Sequence, residues 1–294
     1  MHELLPHCPV CGSQENHPFL VTNDHFLTGE KFTIQECRNC GFKFTNPRPG
    51  KNEMGSYYES TDYISHNAKK SDFLSTIYKI ARTYAIRSKY SVVKKSTKGN
   101  NLLDIGCGTG EFLHYCTMHG FQGTGVEPGD VARDFARQNY NLDVRKDLES
   151  IEQQGLSFDC ITLWHVLEHI HTLTDTITGI ISLLNPDGII VIAVPNCNCW
   201  DAKQYKDFWA AYDLPRHLYH FNEKTFRLLM NKNGLSIQKI IPQKLDSFYI
   251  SLLSEKYKSG RQNFLSAFMN GLKSNIHAGK PHVGHSSLIF LISR

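Results

Sequence analysis

The chain has 294 residues, 40% of them hydrophobic and 20% charged, which excludes a disordered polymer and allows one substantial domain with a smaller one. Its 32 basic residues exceed the 28 acidic ones by too little to call for a nucleic-acid partner. The start, Met1 to Cys8, lacks the basic and apolar regions of a secretory signal, and the longest apolar stretch, Gly188 to Pro195, is far too short to span a membrane, so a soluble cytoplasmic protein is expected.

Four of the nine cysteines stand in the first forty residues as two pairs, Cys8 with Cys11 and Cys37 with Cys40, each followed by glycine. A Cys-x2-Cys turn aims two thiolates at one ion, and two such knuckles supply the four soft ligands of a structural zinc site. So short a segment buries little core, so a metal that contributes folding free energy makes physical sense. With all four places filled by sulfur, none is left open for catalysis. Between and after the knuckles, Phe32 to Glu36 and Phe42 to Thr45 alternate like short strands, and Asn46 to Gly50 reads as a rigid linker closing a module at residues 1–50. Lys31 and Arg38 are offset by Glu15, Asp24, Glu30 and Glu36, so the module is not a basic docking patch.

A bridge follows over residues 51–98. Tyr57 to Tyr63 is dense in aromatic hydroxyls, and an amphipathic helix is predicted from about Asp72 to Lys94. Phe73, Leu74, Ile77, Ile80, Ala81, Tyr84 and Ala85 form its apolar stripe, expected to pack on the next domain, with Lys79, Arg82, Arg87 and Lys89 opposite.

Residues 99–294 begin with a buried strand, Asn101 to Ile105, then Gly106-Cys107-Gly108-Thr109-Gly110, then a helical stretch from Glu111. Strand, glycine turn and helix make a nucleotide-binding loop credible, because the backbone can approach a ligand and the helix start presents unpaired amides. The third glycine comes one residue too early for a pyrophosphate loop, and Asp104 suits a ligand ammonium better than a phosphate pair. This combination resembles the first motif of class I S-adenosylmethionine-dependent methyltransferases. The likeness continues in order through Gly123 to Pro128, Val144 to Glu149, Phe158 to Trp164, the turn Asn185 to Gly188 with its strand to Val194, and final strands at Ile237 to Ile241 and Ser287 to Ile292.

The resemblance implies an α/β fold, a doubly wound seven-stranded, mostly parallel sheet whose last two strands are antiparallel to each other. It implies a donor site, holding S-adenosylmethionine and its product S-adenosylhomocysteine, made of Tyr58, Asp104, Gly106, Cys107, Gly108, Gly110, Glu127, Pro128, Asp147, Leu148 and Trp164. In it Glu127 accepts the ribose hydroxyls and the acid of the third motif accepts from the adenine amine.

Trp164-His165-Val166-Leu167-Glu168-His169 resembles the signature of the branch containing ubiquinone-biosynthesis O-methyltransferases, and the double-knuckle module resembles that of sugar C-methyltransferases, which typically carry a further C-terminal domain. His165, at the carboxyl end of the fourth strand, is the first candidate base, because histidine titrates near neutrality without unusual tuning. His217 and His220 are the next, in the segment Asp213 to Phe221, which resembles one common in the same branch. Arg216 is expected to orient an acidic substrate group, and Trp209 with Tyr212 to wall the acceptor pocket. Glu168 and His169 are expected to hold the loop, although His165 and His169, four apart, could share a metal on a helix. A helix capped at Asn222 should end near Gly234, and an insertion over 245–285 could serve as a lid, a homodimer surface, an anionic-substrate site or a solvated face. The function expected is methylation of a small-molecule acceptor, on oxygen or carbon, such as a sugar or quinone-like ring. The alternatives are an RNA or protein methyltransferase docking its polymer through the zinc module, and a non-catalytic cofactor-binding regulator.

Overall fold

The computed structural model describes residues 2–58, 72–280 and 283–294, with side chains given everywhere but 72–80. Tyr63 lies outside the described residues, and so do the stripe side chains of Phe73, Leu74, Ile77 and Ile80. The amino-terminal part forms three antiparallel strands: β1 (Asn16–Asn23), β2 (Lys31–Cys37) and β3 (Lys43–Thr45). β1 was not predicted, because no period-two alternation marks Asn16 to Asn23 and only Thr22 is buried along it. Helix α1 (Asp72–Ser96) then leads into the second part. Its stripe is not covered as expected: Ala81, Tyr84 and Ala85 are exposed, and contact with the core comes from Tyr90, Val92 and Val93.

The larger sheet takes β4 (Asn101–Ile105), β5 (Gln122–Val126), β6 (Asp143–Arg145), β7 (Phe158–Trp164) and β8 (Leu184–Pro195) in parallel. A short β9 (Tyr219–His220) leaves for the other sheet, and β10 (Ser236–Pro242) and β11 (Ser287–Ser293) complete the order β10-β11-β8-β7-β4-β5-β6. β11 runs antiparallel to both neighbours. Leu103, Ile161, Ile190 and Ile192 enter one apolar cluster while Leu102, Cys160 and Val191 enter the other, so both faces of the sheet are covered. That is why these strands read as continuous apolar runs. The predicted turn at Asn185 to Gly188 lies within β8 as a bulge: partners move from Phe158 with Leu184 to Cys160 with Ile189.

Around the sheet lie α2 (Glu111–Met118), α3 (Asp130–Tyr140), α4 (Glu149–Glu152), α5 (Leu173–Leu183), α6 (Trp200–Tyr205) and α7 (Glu223–Lys232). Asn222 caps α7 as predicted: its side chain accepts from the Thr225 amide, and Thr225 answers through a capping box. The 245–285 insertion is a helical hairpin, α8 (Asp246–Ser259) and α9 (Phe264–His277), between β10 and β11.

The two parts are stitched together. β9 pairs with β3, extending the small sheet to four strands, and Phe42 meets Phe221 with ring centroids 5.5 Å apart. Asn46 to Gly50, read as a linker, is largely buried: Arg48 donates to the Tyr219 hydroxyl at 3.0 Å and the His171 carbonyl at 3.2 Å. Residue 50 is therefore a seam in the packing and not a hinge.

Candidate active site

The glycine loop leaves β4 with Gly106, Gly108 and Gly110 all at positive φ (72°, 55° and 82°), a conformation that disfavours other residues. Their roles differ. A Cβ at Gly106 would lie 2.4 Å from Val166, and one at Gly110 2.7 Å from Leu142, so these two glycines permit close packing. At Gly108 a Cβ would meet nothing within 4 Å, so this one glycine faces open space. The Gly108 amide donates to Glu127 at 2.9 Å, and the other oxygen of Glu127 accepts from Gly129 at 2.8 Å. The acid ending β5 therefore braces the loop and still has lone pairs for a ligand.

Asp104 is buried at the end of β4, accepting from the Thr162 hydroxyl at 2.6 Å. Burial pushes its carboxyl up to about 7, against Thr162 and the Lys89 ammonium, which pull it down. Lys89 comes from α1, its ammonium 4.9 Å from the Trp164 ring centroid, and burial lowers its own pKa. Trp164 is buried edge-on to Phe112, with no partner for its indole N–H among the described residues. Cys107 is half-buried in the loop, and Pro128 is exposed beyond Glu127. Asp147 is exposed and accepts from the Ser150 amide at 3.0 Å, capping a turn, with Leu148 half-buried beside it.

His165 leaves β7 at φ 58°, a left-handed conformation rare for a residue with a side chain, which bends the chain at the sheet's carboxyl edge. Its Nδ1 lies 3.5 Å from Glu168 and its Nε2 3.3 Å from Asp246. Burial opposes protonation, but Asp246 and then Glu168 outweigh it and push the imidazole up to about 9. The expectation of a histidine titrating near neutrality is thus corrected: two carboxylates hold it as an imidazolium.

Glu168 is fully buried, and beyond its ion pair with His165 neither carboxylate oxygen has a hydrogen-bond partner among the described residues. It stands in a short 3-10 turn, Leu167–His169, so His165 and His169 do not sit on one α-helix. Glu168, His169 and His217 offer three ligand atoms within 4.8 Å of one another, a set different from the expected His165 and His169. His169 Nδ1 lies 3.0 Å from the Arg216 carbonyl and 2.9 Å from the Tyr58 hydroxyl, and His217 Nδ1 lies 2.9 Å from the Ala211 carbonyl. A carbonyl only accepts, so in both contacts Nδ1 is the donor.

The other predicted acceptor residues turn inward. His220 is enclosed against the Thr45 hydroxyl at 3.2 Å, and burial, with His217 and Lys43, holds its pKa far below the ordinary value. Trp209 donates its indole N–H to Asp201 at 2.9 Å and stacks edge-on with Tyr212, both nearly inaccessible. Arg216 is 3% exposed and already engaged: Nε donates to Asp213, Nη1 to the Tyr57 carbonyl and Nη2 to Asp24 at 2.8 Å. The space beside these three side chains is about 10 Å³, too small for a substrate. They brace the 205–221 segment and do not wall a pocket. A depression of about 670 Å³ lies elsewhere, between Gly155 and Ser182, with no histidine or cysteine in its lining.

Two groups escaped the sequence reading. Lys89 was assigned to a solvated helix face, and Asp246 to the start of an insertion; neither lies near His165 or Asp104 in sequence, so no local pattern signals them. In the amino-terminal part, Cys8 and Cys40 sulfurs stand 3.7 Å apart and those of Cys11 and Cys37 3.5 Å apart, all four within 4.8 Å. Four thiolates at about 2.3 Å from a tetrahedral ion would have edges of about 3.8 Å, so the cluster fits one zinc.

Residues 78–240 match a family described as a methyltransferase domain. A ubiquinone biosynthesis O-methyltransferase of Coxiella burnetii is 31% identical over 119 residues, 38% of this chain and 51% of that protein. The chain thus spans about half the length of that curated relative. The magnesium protoporphyrin IX methyltransferase of Synechocystis PCC 6803, solved with bound S-adenosylhomocysteine, superposes with a TM-score of 0.54 at 16% identity, covering 83% of this chain and all of that one. A SAM-dependent methyltransferase of Archaeoglobus fulgidus gives 0.51 at 18%, covering 76% of this chain and all of that one. Strand order, glycine loop and the matched half of the sequence converge: the chain belongs to the methyltransferase domain family, with a class I methyltransferase fold.

Proposed function

We propose that the protein transfers a methyl group from S-adenosylmethionine to oxygen or carbon of a small-molecule acceptor. The observation that carries this reading is Gly108, whose missing side chain leaves open space on a loop that starts from Asp104's strand and whose amide donates to Glu127. A bound donor supplies an activated methyl on a sulfonium centre. Asp104 would take its ammonium, Glu127 its ribose hydroxyls through the lone pairs its amide bonds leave, and Trp164 the apolar floor. Leu148 and Asp147 stand on the loop after β6, where the adenine would lie, and Tyr58 is anchored on His169 beside the site.

His165 is the group proposed to hold or remove the acceptor's proton. As an imidazolium between Asp246 and Glu168, it can bind an acidic hydroxyl or its oxyanion, and as pH rises it becomes the base. His217 and His220 are enclosed, so their support for a direct role is weaker. Both fix the segment that carries Arg216. The ubiquinone-pathway relatives support a phenolic or other acidic acceptor, and the sugar-enzyme likeness of the module supports a hydroxylated one. The cysteine cluster is proposed to hold a structural zinc. Within the amino-terminal module Lys43 is paired with Glu36 and Arg48 with Glu3, so these two bases lend no support to a polymer substrate.

Incubation with labelled methyl donor and fractionated cell extract tests the proposal. Label entering metabolites supports it; label entering only protein or RNA, or none at all, overturns it. One observation favours a variant of this chemistry. The buried Glu168 carboxylate, His169 and His217 offer three ligand atoms within 4.8 Å of one another, a set that suits a divalent ion, which would polarise an acceptor hydroxyl. Elemental analysis of wild type and His217→Ala decides it: one further equivalent of metal, lost in the variant, is the expected result, and identical zinc-only content removes the variant mechanism.

A further inference from the structure

Helix α9 has its sides reversed. The residues turned toward the protein are small or polar: Ala267, Gly271 and Ser274 are buried, Ser274 donates to Asp201 at 2.7 Å, and Asn270 donates to Tyr205 at 2.9 Å and to Glu255 at 3.1 Å. The residues turned outward are large and apolar. Phe264, Leu265, Phe268, Met269, Leu272 and Ile276 are 57, 74, 56, 43, 40 and 65% exposed. At 3.6 residues per turn they occupy one arc of roughly 140°. An amphipathic helix in water puts its apolar arc against the core and its polar arc outside. Here hydrogen bonds fix the helix the other way round, and a continuous apolar face of this size marks an interaction surface.

The charge around the arc indicates what covers it. Residues 244–285 contain six bases, Lys244, Lys256, Lys258, Arg261, Lys273 and Lys280, against two acids, Asp246 and Glu255; six minus two equals the chain's whole formal excess of +4. All six bases are exposed, whereas Glu255 is buried, taking hydrogen bonds from Tyr205 and Ser266, and Asp246 is paired with His165. Arg261 precedes the arc by three residues, Lys273 stands at its edge and Lys280 follows it. The surface is therefore apolar at the centre and cationic at the rim.

We infer that the α8–α9 hairpin docks the protein flat on an anionic membrane surface, with the Phe264 to Ile276 arc entering the headgroup boundary and the rim bases meeting lipid phosphates. Apolar side chains with basic flanks are the physical pattern of an interfacial helix. A second copy of the chain fits less well, because a two-fold contact would bring two cationic rims together. No helix among the described residues is long and apolar enough to cross a membrane, so the contact is one of lying on the surface. The inference stands on the hairpin alone and does not depend on methyl transfer.

Co-sedimentation of the full chain with vesicles of phosphatidylcholine, with and without phosphatidylglycerol, tests it. The expected result is binding to the anionic vesicles that weakens with salt and falls roughly tenfold or more in the double variant Leu265→Ser, Phe268→Ser. Leu265 is exposed and Phe268 partly so, its ring 5.5 Å from that of Phe248, and circular dichroism checks that the helix persists. Salt dependence of the wild type is a second readout should the variant unfold. No binding to anionic vesicles, equal binding to neutral ones, or binding indifferent to the double variant overturns the inference. So does a wild-type dimer that ignores vesicles and is split by the same variant.

Discussion

At the level of single residues, the site is controlled by groups whose charge the surroundings have moved. Asp104 has its carboxyl pushed up to about 7 by burial, whereas a bound ammonium favours the carboxylate. Donor binding should therefore release a proton below neutrality, and affinity should rise with pH up to about 7 and then level. Titrations of donor product across this range check it, and Asp104→Asn should lose both affinity and slope. His165 moves the other way: it is raised to about 9, so its base form is scarce at neutral pH. If it removes the acceptor proton, turnover rises with pH until about 9. His165→Ala should lower turnover by roughly 10²–10⁴-fold, the usual worth of a positioned base, and flatten that rise while sparing donor affinity. The glycine loop was legible in the sequence because its chemistry is local: strand, bend and helix follow in one stretch. The surroundings of His165 were not, because Asp246 comes from another helix and Glu168 was expected only to hold the loop. The inward turn of Trp209, Tyr212 and Arg216 was equally hidden, since Asp24 and Asp201, their partners, carry no mark in the sequence.

At the scale of elements, β4, β7, β8, β10 and β11 were readable from their apolar runs, β5 and β6 only through the motifs of the family resemblance, and α7 from its cap. The misreadings follow from partners that sequence periodicity does not contain. β1 lacks alternation, the Asn185 to Gly188 turn is absorbed into β8, and α1 leaves Tyr84 in solvent. The hairpin illustrates how one small residue fixes an arrangement. Gly271 lets α9 settle on α8: a Cβ there would lie 2.6 Å from the Phe248 ring and 3.0 Å from its Cα. Gly271→Val should push the helices apart and cost about 1–3 kcal/mol, read as a lower urea midpoint with an unchanged slope. A neutral outcome would mean the hairpin is looser than described.

For the whole molecule, the division into module, bridge and catalytic domain misses the strand exchange that binds the first part to the last. β3 and β9 share a sheet, and Phe42, Tyr219 and Phe221 share a core. Metal loss at the four cysteines should therefore be felt throughout. With the proposed zinc bound, Cys37→Ser or a strong chelator should lower the melting temperature of one cooperative transition, because free energy of metal binding to the folded cluster adds to folding free energy. Separate melting of the amino-terminal part, with the rest unchanged, would show the seam to be weak.

The central claim is that Gly108, Asp104 and Glu127 form a cradle for S-adenosylmethionine, and calorimetric titration of the purified chain with S-adenosylhomocysteine tests it most directly. One site per chain is predicted, with binding abolished by Gly108→Val, whose side chain would fill the open face of the loop at a positive φ. Absence of binding to the wild-type chain, or equal affinity in the variant, would contradict the account.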